Sequence, residues 1–101
     1  MRRIRLAARL EKWSASKHAL LWRSWGDGQF VVYHTGPGDT HLLNHVTAEV
    51  LRQLERQESD VRELVRSVAE SFDCEPDEEF ARQIERLVAY LDDLGLIEPV
   101  P

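Results

Sequence analysis

Four histidines are the residues of this chain whose chemistry is most versatile: His18, His34, His41 and His45. Imidazoles ligate metals and carry protons, and His34 and His41 flank a turn across which they could approach each other. A metal site usually adds two histidines one helical turn apart or a C-x-x-C pair, and this sequence contains neither. We therefore interpret them as polar histidines on strand surfaces and expect no metal and no other cofactor.

A nucleophile needs a base within reach and a site for an oxyanion. Ser14, Ser16 and Ser24 occur without a G-x-S-x-G sequence, and the single cysteine, Cys74, is flanked by two acids that disfavour a reactive thiolate. The glycines cluster in turns that do not open a helix, as a phosphate loop would. The sequence predicts that the protein is not an enzyme.

Composition indicates one soluble domain. The chain has 101 residues, of which 43% are hydrophobic and 31% charged, which suits a single modest core. No apolar run approaches the roughly 18–20 residues that span a bilayer. One cysteine excludes an internal disulfide and is typical of a reducing compartment. We expect a cytoplasmic protein without a membrane anchor, and the sequence leaves its oligomeric state open.

Charge is unevenly distributed. Residues 1–25 carry seven Lys and Arg side chains against Glu11 alone, although the formal net charge of the chain is −5. We divide the chain into a basic N-terminal segment, residues 1–18, and a domain, residues 19–101. In the segment, apolar residues alternate as in a strand at Ile4, Leu6, Ala8 and Leu10, while Lys12–Lys17 resembles a connector. The segment is predicted to be a short strand or a solvated arm.

Three strands are predicted first. Leu20–Trp25 and Gln29–His34 are rich in aromatic and β-branched residues, and the intervening Gly26-Asp27-Gly28 favours a hairpin. Gly36-Pro37-Gly38-Asp39 then matches a type II turn, in which the second glycine takes a positive φ. The third strand is Thr40–Asn44. The pattern predicts a three-stranded antiparallel meander.

Three helices follow, each with one apolar stripe. The first is predicted to start near Thr47, which would cap it, and the second follows a capping-box pattern of Asp60 and Glu63. The third covers about Asp77 to Leu94 and stops at Gly95, after which Leu96-Ile97 folds back on the core. The predicted class is α+β and winged-helix-like, a three-stranded antiparallel sheet followed by three helices.

A winged-helix arrangement raises the question of DNA binding. Phosphate contacts need Lys and Arg on the presented face, but residues 46–95 hold six arginines against fourteen acids. The third helix also opens on Asp77, Glu78 and Glu79, where a recognition helix would meet bases. Charge therefore opposes nucleic acid as a partner, and a DNA-binding regulator is kept only as an alternative.

A protein-binding edge is the remaining candidate. If Thr40–Asn44 is an edge strand, it can accept an extended peptide as a further strand, with the third helix as the opposite wall of a groove. Arg82, Arg86 and Tyr90 would then lie at the rim, where arginines suit an acidic peptide. The sequence equally allows that the apolar stripe is all core and the edge merely solvated.

The order of these motifs resembles a known family. The stretches that carry the resemblance are Tyr33-His34, Asp39-Thr40-His41-Leu42-Leu43-Asn44, Thr47-Ala48-Glu49-Val50-Leu51 and Leu94-Gly95-Leu96-Ile97. Over about residues 19–98 they resemble the PqqD-like peptide chaperones, the RiPP recognition elements. Three features resemble the branch associated with HPr-kinase-related (HPr-rel-A) systems: the paired tryptophans Trp22 and Trp25, the stretch Val31-Val32-Tyr33-His34 and the run from Gly38 to Asn44. The longer, more basic start departs from that branch.

The resemblance implies a function. A member of this family would bind the leader peptide of a precursor as an added strand and present it to a modifying enzyme, here one of the HPr-kinase-related type. Carried onto the matching motif, the peptide would contact Thr40, His41, Leu42 and Leu43. The predicted helix-side contacts, chosen by geometry, are Arg82, Arg86, Leu87 and Tyr90. A further alternative is a structural subunit of a kinase-like complex.

Overall fold

The structure, a computed structural model, describes residues 11–24 and 28–100. Its elements in chain order are β1 (Trp13–Ala15), β2 (Leu20–Ser24), β3 (Gln29–His34), β4 (Asp39–Asn44), α1 (His45–Arg56), α2 (Val61–Ser71), α3 (Glu78–Asp93) and β5 (Ile97–Pro99). The strand pattern predicted around Ile4–Leu10 and most of the predicted loop Gly26–Gly28 lie outside the described residues.

Strands β2, β3 and β4 form an antiparallel meander with β3 in the centre. The register places Leu20 opposite His34, and Val31 opposite Leu42. Gly38 closes the second turn with a φ of +83°, the positive value expected there, and its N–H donates to the carbonyl of His34 at 2.8 Å. The α+β class, three antiparallel strands followed by three helices, is confirmed.

A second, two-stranded sheet corrects one prediction. Lys12–Lys17 was expected to be a connector, but Trp13–Ala15 forms β1 and pairs antiparallel with β5. Trp13 is only 3% exposed and exchanges two backbone hydrogen bonds with Ser59, at 2.8 and 3.0 Å. The ribbon therefore closes one side of the core with residues from both ends of the chain.

Each helix begins at a polar cap. For α1 the cap is Asn44, whose side chain accepts from the N–H of Thr47 at 2.9 Å, so the prediction that Thr47 itself caps the helix is wrong. The predicted capping box of α2 is confirmed, with Asp60 and Glu63 bonded reciprocally. The backbone N–H of Asp60, followed by the nearby Lys12 ammonium, holds the pKa of Glu63 below its usual value.

Helix α1 is the hub of the core. It packs against three strands, β1, β3 and β4, and against the helices α2 and α3. Arg52 lies over the ring of Trp22 at 4.3 Å, and the indole N–H of Trp22 donates to Glu55 at 2.9 Å, so the helix is also fixed to β2. The largest fully buried side chains are Leu43, Leu51, Leu64, Ile84, Leu91 and Leu96.

No helix in the described part of the chain is both long and apolar enough to cross a membrane.

Candidate functional site

The two faces of the three-stranded sheet have different environments. Because successive side chains of a strand alternate, the buried Val32 and Leu43 assign one face to the core. Of the predicted contact residues, His41 and Leu43 point to that face, and Leu43 is only 1% exposed. Thr40 and Leu42 point outward and are exposed, Leu42 by 58%.

Strand β4 presents backbone groups at the edge of the sheet. The N–H of Thr35 donates to the carbonyl of Ala19 at 3.1 Å, directly beyond the Leu20–His34 pair. Hydrogen-bonded and non-hydrogen-bonded pairs alternate in antiparallel sheets, so His34 and Val32 direct their N–H and C=O groups toward β4.

The same alternation fixes which residues of β4 face the edge. Because His34 pairs with Asp39 and Val32 with His41, the backbone of Asp39, His41 and Leu43 bonds to β3. The N–H and C=O groups of Thr40 and Leu42 then point away from the sheet. Within the described residues no other strand pairs with β4, so this edge can accept an extended chain.

Helix α3 carries the other predicted contact residues. Arg82, Arg86 and Tyr90 are spaced four residues apart and are exposed, whereas Leu87 is half-buried against the core. Residues four apart share one face of a helix, so the first three form one exposed stripe. Leu87 lies between this stripe and the buried face.

The position of α2 distinguishes the two flanks of α3. Ala81 and Glu85 line a groove shared with Val61 and Val65 of α2. At 3.6 residues per turn, Leu87 lies on the opposite flank, with Tyr90 next to it on the solvent side. Arg86 is further round the helix, opposite the buried face, and Arg82 lies beyond it toward the flank of α2.

Ser16 links the region after α3 to the sheet. Its N–H donates to the carbonyl of Leu96 at 2.8 Å, and its Oγ lies 2.8 Å from Nε2 of His34. At the other end, His45 at the start of α1 contacts the rings of Phe30 in β3 and Phe72 after α2, with centroids 5.6 and 5.1 Å apart. The sheet and the helices are thus tied together at both ends of β4.

A histidine cluster lies at the turn end of β3 and β4. His34 is 3% exposed, so the prediction that it is a strand-surface histidine is wrong. The ring of His18 packs edge-on at 5.7 Å. Burial first, then the nearby imidazoles of His18 and His41, lowers the pKa of His34, while Asp39 opposes the shift. Both His34 Nδ1 and His41 Nε2 are buried, and neither has a hydrogen-bond partner among the described residues.

These residues show no arrangement that suits metal binding. Within residues 11–24 and 28–100, no three His, Cys, Asp or Glu side chains are placed to hold an ion. Cys74 is exposed, far in sequence from every histidine. The described surface offers backbone donors and acceptors along the edge of β4 and, on α3, an exposed aromatic and two cations, and groups of both kinds bind peptides.

Ser16 was not singled out for this role from the sequence. Its partners His34 and Leu96 are 18 and 80 positions away along the chain, so no local pattern indicates the link. The burial of His34 did have a signal, because the alternation of Phe30, Val32 and His34 places all three on one face.

Comparisons with known proteins agree with this fold. Residues 29–97 match the family described as "Coenzyme PQQ synthesis protein D (PqqD)". A solved structure described as "TbiB1 in Complex with the TbiA(beta) Leader Peptide" superposes with a TM-score of 0.66. It is 18% identical and the match covers 87% of this chain and 98% of that chain, so the likeness shows a shared fold. Comparison with curated proteins gave no match. Since the family match extends over more than half of the sequence, the chain belongs to the PqqD family.

Proposed function

We propose that this protein captures the leader segment of a precursor peptide as an additional strand on β4. The observation that carries the proposal is the pair of outward-facing backbone positions, Thr40 and Leu42, on an edge that no described strand covers. Two such residues offer two N–H donors and two C=O acceptors. These groups can form backbone hydrogen bonds with a peptide strand of about four residues.

Family membership supports a peptide ligand. The matching family is described by its part in coenzyme PQQ synthesis, and the structural relative is described as a complex with a leader peptide. Neither description names the ligand of this chain. Together with the exposed edge they favour a leader peptide over other extended segments, and so a role as a RiPP recognition element.

The second wall of the binding groove is proposed to be α3. Helix α1 packs against both β4 and α3, which suits a floor between two walls. Because α2 occupies one flank of α3, the flank with Leu87 and Tyr90 is the one we assign to the peptide. Tyr90 is 47% exposed, and a large aromatic side chain of this kind is a typical anchor.

Arginines at the rim would set the charge preference of the groove. Arg86 is adjacent to Tyr90 on the exposed stripe and would attract carboxylates of the leader. Arg82 faces further from the groove and would contribute only through longer-range attraction. His41 and Leu43 would act through the core, where they fix the register of β4, and not by touching the peptide with their side chains.

The protein would act without catalysis, in the cytoplasm, by delivering the bound leader to a modifying enzyme. We propose an enzyme of the HPr-kinase-related type, on the resemblance carried by Val31–His34 and the run from Gly38 to Asn44.

A reconstituted reaction tests this role. Modification of the full precursor should require this chain, and modification of a precursor lacking its leader should not respond to it. Equal rates with and without the chain would contradict the proposal.

A further inference from the structure

The histidine cluster lies at the turn end of β4, where the proposed peptide edge begins. We propose that His34, held by Ser16, is a pH-sensitive latch whose protonation loosens the turn end of β4 and so weakens peptide capture. This inference rests on the proposed function for its biological meaning. The loosening of the turn end of β4 is a property of the protein without peptide.

The hydrogen bonds around Ser16 favour a neutral His34. The Oγ of Ser16 accepts from the N–H of His18 at 3.2 Å and lies 2.8 Å from Nε2 of His34. A hydroxyl has a single hydrogen to donate, and the arrangement is completed if that hydrogen goes to an unprotonated Nε2. Protonation of His34 would place a hydrogen on both ring nitrogens, and Ser16 would then have to accept in place of donating.

The surroundings offer the extra charge little compensation. In that arrangement Nδ1 carries the ring hydrogen of neutral His34 and is buried without a partner among the described residues, so the charged ring would gain no acceptor that offsets its burial. The titratable groups that act on His34 are His18 from the β1–β2 connection and His41 and Asp39 from β4. Asp39 is the sole acid among them and is exposed, whereas both imidazoles would add repulsion if protonated.

The turn is tightly packed against this cluster. A Cβ on Gly36 would lie 2.4 Å from the ring of His18, so the turn between β3 and β4 accommodates that ring only because position 36 is glycine. The same serine that bonds His34 donates its N–H to Leu96 beyond α3. Movement of His18 or Ser16 is therefore transmitted to the turn, to the start of β4 and to the end of α3.

Amide hydrogen exchange measured by NMR tests the latch on the full chain without peptide. Protection factors are compared at about pH 7.5 and 4.5, because the pKa of His34 lies below the ordinary imidazole value of about 6.5. We expect protection of the His34, Asp39 and His41 amides to fall several-fold at the lower pH, while Leu43 at the far end of β4 keeps its protection. In His34→Gln, which keeps a neutral hydrogen-bonding group near Ser16, the fall should disappear.

Two further variants keep the test decisive. His45→Gln changes the histidine at the opposite end of β4 and should respond to pH like the native chain. If His34→Gln does not fold, His18→Gln serves in its place. It removes one repelling imidazole, so the loss of protection should begin at a higher pH. Equal protection at both pH values in the native chain, or a fall that persists in a folded His34→Gln, would overturn the latch.

The two proposals fail separately. Exchange in the peptide-free protein decides the latch whether or not a leader binds. Absence of leader binding at pH about 7.5, where His34 is neutral, would count against peptide capture and leave the exchange result as it stands. Where the leader binds, native affinity should fall between these pH values, and the affinity of His34→Gln should not. Parallel losses in both proteins would contradict coupling between the latch and the edge.

Discussion

Leu42 of β4 lies directly opposite Val31 of β3, with its side chain 58% exposed and its backbone N–H directed away from the sheet. The pair shows how Leu42 serves two interfaces. Its side chain covers the outer face of the sheet beside Val31, while its N–H and C=O remain for another chain. The proposed capture of a peptide depends on that second interface.

Replacing Leu42 with proline tests the edge directly. Proline removes the outward N–H and is tolerated on edge strands, so the fold should persist. Loss of one intermolecular hydrogen bond should weaken leader binding by about 1 kcal/mol or more, roughly fivefold to tenfold, as measured by calorimetry.

Ser24→Pro is the matched control for that substitution. Ser24 is exposed on β2, the opposite edge, and the same alternation directs its N–H outward. Circular dichroism should show that both variants are folded. Equal affinity of the two variants and the native chain would argue against strand addition on β4.

A charge reversal at Arg86 tests the helix wall. Arg86→Glu should weaken binding of an acidic leader about threefold to tenfold at low salt, and the difference should shrink as salt screens the charges. Arg62→Glu, an exposed arginine on α2, changes the net charge of the protein equally. If the two charge reversals weaken leader binding equally, the leader responds to the overall charge of the protein and α3 is not a wall of the groove.

Truncation of Trp13 tests whether the N-terminal region belongs to the core. Trp13→Ala should lower the free energy of unfolding by about 3 kcal/mol, since it empties a buried aromatic site. Leu21→Ala, at a position 58% exposed, should change it by roughly 0.5 kcal/mol or less. Urea titration measures both. A similarly small effect at Trp13 would support the predicted division of the chain after residue 18.

Much of the fold follows from local pattern. The three-stranded meander and the three helices were predictable because the hydrophobic pattern changes only once, from strand alternation to the helical period, at the end of β4. The capping box of Asp60 and Glu63 was predictable because it is a three-residue relationship. The strand at Trp13–Ala15 was missed because its partner, β5, lies at the other end of the chain, and three residues are too few to show a period.

The start of α1 shows a subtler limit of prediction from the sequence. Asn44 and Thr47 are both good capping residues, and the structure chooses Asn44 because its side chain reaches the N–H of Thr47. That choice lengthens the helix to include His45, which then contacts Phe30 and Phe72. A three-residue shift at a cap thus decides which side chain joins the sheet to α2.

The candidate site was predictable as a strand but not residue by residue. Period two indicates that only alternate residues of Thr40–Leu43 face one way, yet the pairing register is needed to say which. The structure assigns the outward backbone groups to Thr40 and Leu42, and it assigns His41 and Leu43 to the core face. The contacts on α3 remain predictions, because they depend on where a peptide lies.

Hydrogen exchange at four consecutive amides tests peptide capture most directly. In the protein alone, the amides of His41 and Leu43 should be protected by β3, while those of Thr40 and Leu42 exchange quickly. Saturation with the cognate leader peptide should protect Thr40 and Leu42 by about tenfold or more, the effect of one strand hydrogen bond in the bound state. Tight binding of the leader with no added protection at Thr40 and Leu42 would contradict capture on this edge.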